Sequence, residues 1–128
     1  MTVILPQSIA ASTSWTLVEY ATLQQQSAPA AGGTCQVQFA QLDSNERWII
    51  DHAVSYCDSA TPTTLRLYEG NVSPLALLDG SNAGGFDVAD WPGGLAIRPA
   101  MFLIAQWTGA ADGSRGTMTL QARILRKL

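Results

Sequence analysis

The chain reads as an all-β protein: a single β-sandwich or jelly-roll-like domain of about eight antiparallel strands. Three observations predict this. Short segments rich in β-branched and aromatic residues recur every 8–12 residues or so, at roughly sandwich spacing. Glycine-, proline- and aspartate-rich breaks separate them. Helix signals are scarce, since only 21–26 has moderate helix propensity and no capped amphipathic run follows. At 128 residues there is material for one core without staples. Residues 1–14 are expected to form an N-terminal arm or first strand, and 15–128 the domain.

Taken in order, 2–5 is a short strand or part of the arm. Residues 15–23, WTLVEYATL, form the next strand, with Trp15, Leu17 and Tyr20 available for packing. The stretch 24–33, QQQSAPAAGG, has no apolar periodicity and reads as an exposed loop. Residues 34–42 alternate well, with Cys35, Val37 and Phe39 on one face. In 47–57, RWIIDHAVSYC, strict alternation puts Trp48, Ile50, His52, Val54 and Tyr56 on one face, and Ile49, Asp51, Ala53 and Ser55 on the other. A turn containing Pro62 precedes 64–69, with Leu65 and Leu67 inward and Arg66 outward. Residues 75–78 make a short strand that Asp79-Gly80 should close as a turn.

The stretch 84–109, GGFDVADWPGGLAIRPAMFLIAQWTG, holds two of the four tryptophans and the longest apolar run. It predicts a short edge strand over 86–91, a turn at 92–94, and then two strand segments within 95–107 that meet at a kink near Pro99. GAADGSRG at 109–116 is a hairpin-type connection. The last strand, 117–125, has the cleanest alternation, with Met118, Leu120, Ala122 and Ile124 on one face.

Composition limits function. Hydrophobic residues make up 47% and charged residues 13%, about half the roughly 25% charge of soluble domains. Such a surface suits a protein packed against other subunits; the alternative is a soluble sandwich whose surface is hydroxyl- and amide-rich. The net charge is -3, and no basic cluster precedes Arg123, Arg126 and Lys127. Nucleic-acid binding is therefore not expected. The start, MTVILPQSIAAS, has no positive n-region and Pro6 interrupts it, so no signal peptide is expected. No apolar run reaches the roughly 18–20 residues that cross a bilayer, so no membrane helix is expected. Synthesis in a cytoplasm follows. Cys35 and Cys57 lack metal-ligand spacing and read as buried free thiols, with a disulfide between neighbouring strands as the alternative.

No catalytic constellation stands out. His52 is the one histidine, and Asp51 beside it points to the opposite face of a regular strand, so no matched partner is evident. Asp79, Asp87 and Asp90 are spaced unlike an EF-hand; turn and loop hydrogen bonding is the expectation, calcium the alternative. Trp91, before a proline in a glycine-rich stretch, is the best candidate for an exposed aromatic, with a loop anchor folded onto the core as the other reading. Trp48 and Trp107 lie inside apolar strands and are assigned to the core.

The order of these features resembles small β-rich virion proteins of tailed bacteriophages. The residues that carry the resemblance are Arg47-Trp48 opening a strand, Leu67-Tyr68-Glu69-Gly70, and Asp79 with Gly84 and Asp87 in a D-x-x-x-x-G-x-x-D stretch. They continue with Trp107-Thr108-Gly109-Ala110 through Gly113, and the closing TMTLQ of 117–121. The match covers roughly 47–125. It implies a non-enzymatic structural component of the particle, on the capsid surface, neck or tail, that needs no cofactor or metal. Its partners would be other virion proteins (major capsid, neck or tail subunits) and further copies of itself. The protein would be made in the host cytoplasm and localised to the virion, with no nucleic-acid or membrane partner. Contacts are expected from 1–14, with Pro6 and Ile9, and from loops at 24–33 and 81–94, with Phe86, Asp87, Asp90 and Trp91. The competing reading is a carbohydrate-binding or adhesin-like β-sandwich module.

Overall fold

Nested antiparallel pairing organises the chain. The structure, a computed structural model, describes residues 15–40 and 43–127. The arm at 1–14, with its expected strand at 2–5 and the candidates Pro6 and Ile9, lies outside the described residues. The strands are β1 (Trp15–Gln26), β2 (Thr34–Ala40), β3 (Glu46–Cys57), β4 (Thr64–Glu69), β5 (Leu77–Ser81), β6 (Phe86–Ile97), β7 (Phe102–Thr108) and β8 (Gly116–Lys127). They make two four-stranded sheets, β1-β8-β3-β6 and β2-β7-β4-β5. Four pairings nest inside one another: β4 with β5, β3 with β6, β2 with β7, and β1 with β8. The chain is one long hairpin rolled up so that successive rungs fall in opposite sheets. Pairings β3–β8 and β4–β7 then complete each sheet. This is the jelly-roll arrangement.

The inner faces follow the predicted alternation where strands are regular. Val37 and Phe39, Leu65 and Leu67, and Met118, Leu120, Ala122 and Ile124 are all buried in one shared core. Arg66 alternates outward from its buried neighbours.

Four expectations need correction, and irregularity in pairing explains most of them. First, β3 changes phase. Its register slips between Ile50 and His52 against both neighbours, so Asp51 is an inserted residue. Trp48 and Ile50 point inward, but beyond the bulge Ala53, Ser55 and Cys57 take over the core face, and Val54 and Tyr56 turn outward. Second, β1 extends through Gln26. It too carries a bulge, between Leu17 and Glu19, and as an edge strand it leaves Tyr20 76% exposed. The glutamines at 24 and 26 belong to this strand, and their amides donate to the Thr119 and Thr117 hydroxyls.

Third, Asp79-Gly80 makes no turn: both residues lie within β5, and a 3₁₀ turn, Pro74–Ala76, occupies the start of the expected strand. Fourth, β6 runs straight through Trp91-Pro92-Gly93-Gly94. Pro92 is tolerated because β6 is a sheet edge and needs no donor on its free side. Gly93 and Gly94 both have positive φ, and a Cβ on Gly94 would overlap the Ile49 side chain. The true break is at 98–101, where the chain leaves one sheet for the other and Ala100 takes φ 62°.

Trp107 is the keystone of one end of the sandwich. It is fully buried on β7, its Nε1 donates to the Gly84 carbonyl at 3.1 Å, and its ring covers Gly116, where any Cβ would overlap it. Gly84 in turn donates to the Thr63 carbonyl, Ala30 to Ser114, and Ala110 to Gly33. Four loops are thereby tied around one indole. Trp107→Ala is expected to cost about 3–5 kcal/mol, read as a lowered urea midpoint. A loss below about 1 kcal/mol, the size of an ordinary substitution, would show that the loops hold themselves together without it.

Candidate interaction surface

The edge strand β6 divides the sequence-derived candidates between two faces. Phe86, Val88 and Asp90 alternate outward, while Asp87, Ala89 and Trp91 turn toward the core. Phe86 and Asp90 therefore share one environment, and Asp87 and Trp91 another.

The inward pair closes the open side of the sandwich. Trp91 is half-buried against the core, and its Nε1 donates to Asp79 Oδ2 at 2.9 Å, linking the edge of one sheet to the edge of the other. Asp87 accepts from the Ser81 hydroxyl on β5 and from the Val88 N–H at 2.8 Å. These bonds flank a cavity of about 50 Å³ between the sheet edges, lined also by Ala53, Leu65 and Met118. Its volume holds at most a water or two. Asp79 and Asp87 are committed to hydrogen bonds across β5 and β6, while Asp90 sits on the opposite face. The three carboxylates do not converge, and among the described residues no group of three or more His, Cys, Asp or Glu side chains could hold a metal ion.

The outward face is graded in polarity. Cross-strand register sets its rows: Phe86, Tyr56, Thr117 and Gln26 in the first; Val88, Val54, Thr119 and Gln24 in the second; Asp90, His52, Gln121 and Thr22 in the third. Toward β6 the face is apolar, with Phe86 62%, Tyr56 50% and Val88 45% exposed. Toward β1 it is a lattice of hydroxyls and amides. Below lies a charged corner, where Arg123 makes two bonds to Asp51, at 2.8 and 2.7 Å. That fork pushes the Arg123 guanidinium further up from its ordinary value.

The bulge also changes the reading of His52. Asp51 and His52 both reach the outer face, but Arg123 occupies Asp51, and His52 Nδ1 meets Asp90 Oδ1 across the strand pair at 2.6 Å. Asp90 is thus the histidine's partner, which alternation along a single strand cannot reveal. The register partners of His52 are Asp90 and Gln121, and neither is a hydroxyl or thiol nucleophile. The couple fastens β3 to β6 beside the bulge.

Tyr56, Val54 and Val88 escaped the sequence reading because alternation carried past the bulge assigns Tyr56 and Val54 to the core. The one signal was the recurrence of β-branched and aromatic residues at every second position, Val54 and Tyr56 on β3 and Phe86 and Val88 on β6.

No protein-family model matches the chain, and no curated protein matches it in sequence. Among the described residues no helix is long and apolar enough to cross a membrane.

The Ser81 hydroxyl and, after it, the Val88 N–H hold the Asp87 carboxyl below its ordinary value of 3.8. Its stabilising contribution is therefore complete above the unfolded-state pKa and fades as pH falls through the lower folded one. Asp87→Ala should lower the urea midpoint near neutral pH, and the gap to wild type should narrow on acidification below about pH 4. A gap that stays constant down to about pH 2 would assign the loss to packing instead.

Proposed function

We propose that this chain is a non-enzymatic structural component of a bacteriophage particle, assembling on the capsid surface, neck or tail through strand edges and loops. The observation that carries the reading is the apolar end of the outer sheet face: Phe86 and Val88 on the open edge strand β6 lie side by side with Tyr56 and Val54 on its neighbour β3. Exposed apolar groups beside an unpaired strand edge favour association, because a neighbour can bury the side chains and complete the backbone hydrogen bonds together. The jelly roll itself hosts capsid and lectin domains alike, so the argument rests on this surface, on the low charge of the chain, and on the phage-like order of turns and strand ends between 47 and 125.

A glycan-binding module is the second reading, favoured by two adjacent aromatics, Tyr56 and Phe86, beside hydrogen-bonding groups on Gln121, Thr119 and Asp90. One substitution separates the two. Phe86→Ser removes an exposed side chain and should leave folding intact. In the structural reading it weakens incorporation into particles by roughly tenfold or more, and deletion of residues 1–14 weakens it independently. In the second reading Phe86→Ser abolishes glycan binding by the isolated protein.

Quantitative mass spectrometry of purified particles tests the proposal directly. Copies comparable to the main shell protein would place the chain as a capsid decoration; a few per cent of that number (roughly, for a vertex or axial component) would place it at the neck or tail. Absence from particles would overturn the structural reading.

A further inference from the structure

Cys35 and Cys57 come from opposite sheets, Cys35 at the start of β2 and Cys57 at the end of β3. The pairing pattern places both beside one contact between the sheets. Trp107 is the register partner of Cys35, Gly116 is the register partner of Cys57, and the Trp107 ring lies on Gly116 across the sandwich. Both thiols are free and buried in the same core, and Cys35 is near enough to Cys57 to raise its thiol from the ordinary value. The chain has no other cysteine, so neither has a competing partner.

We propose that Cys35 and Cys57 form a latent inter-sheet disulfide, open in a reducing cytoplasm and closed by a low-molecular-weight disulfide in an oxidising medium. One cysteine, as thiolate, attacks the oxidant and releases one small thiol, leaving a mixed disulfide on the protein. The second cysteine, also deprotonated, attacks the protein-bound sulfur and releases the second small thiol. The protein gives up two protons and two electrons, and the oxidant leaves as two thiols. The bond would tie β2 to β3 directly beneath the loops gathered around Trp107, and so link the two sheets covalently at that end. Burial pushes the Cys57 thiol up from its ordinary value against the opposing effect of the Ser59 backbone, and the neighbouring Cys35 thiol adds to the rise. Exchange in the folded state is therefore slow at neutral pH, quickens with rising pH, and goes faster during refolding.

The test is to refold the urea-unfolded full chain in buffered reduced and oxidised glutathione, and to measure intact mass, free thiols under denaturing conditions, and Tm. The expected product is a monomer lighter by two hydrogens, with no alkylatable thiol and a Tm higher by about 10 °C, all reversed by dithiothreitol. Cys35→Ser and Cys57→Ser, each made singly, should abolish the mass and Tm changes; each retains a folded reduced-like core as judged by far-UV circular dichroism. Glutathione adducts as the end product, disulfide-linked dimers, or two free thiols after refolding in the oxidant would each overturn the proposal. So would an intramolecular disulfide that lowers Tm, since it would mean that the fold does not present the two thiols in bonding geometry.

Discussion

One buried indole holds one end of this molecule together. Trp107 stands in the middle of its sheet, between β2 and β4 by way of β7's two pairings. It reaches across to Gly116 on the other sheet and down to the Gly84 carbonyl. A fully buried tryptophan needs a partner for its N–H and a flat surface for its ring. Gly84 supplies the first and Gly116 the second, because a glycine is the one residue whose face leaves room for the ring. The β5–β6 loop and the start of β8 are thereby placed, and the backbone bonds among 27–33, 58–63 and 109–115 close around them. The cysteine pair sits under this cap because its register partners are the same two residues.

The opposite constraint, a local irregularity, decides the surface. An extra residue at Asp51 reverses which side chains of β3 face water. The partner strand β6 answers with its own excess: between Asp90, paired with His52, and Leu95, paired with Ile50, four residues face one. Two positive-φ glycines and a proline fill that excess, a composition that suggests a turn but here widens a strand. The bulge turns Tyr56 outward to meet Phe86, places Asp90 against His52, and leaves Asp51 for Arg123. Asp79 and Trp91 then fasten the two sheet edges to each other on the inner side. The apolar patch and the charged corner thus arise from one inserted residue in the middle of a strand, set beside the polar rows that β8 and β1 supply.

This division explains why the candidate surface could be only half read from the chain. Phe86 and Asp90 stand out as loop-flanking polar and aromatic residues, and they do lie on the exposed face. Trp91 and Asp87 look alike in sequence, yet the pleat turns them inward, where their polar atoms are already bonded to β5. A tryptophan before a proline carries no mark that says which of these it will do; the answer depends on whether Asp79 is near, twelve positions away in the chain and one sheet edge away in space.

The amino-acid sequence by itself determined the class of fold, the approximate places of the strands, and the core faces of β2, β4 and β8, because those depend on local propensity and on an unbroken period of two. Only the tertiary structure decided the nested strand order, the phase change in β3, the continuity of β6 through its glycines, the meetings of His52 with Asp90 and Trp91 with Asp79, and the placing of Cys35 and Cys57 beside the Trp107–Gly116 contact. Each of these depends on which strands lie side by side or face to face. Alternation along one strand holds no information about its neighbour, and a single bulge resets it.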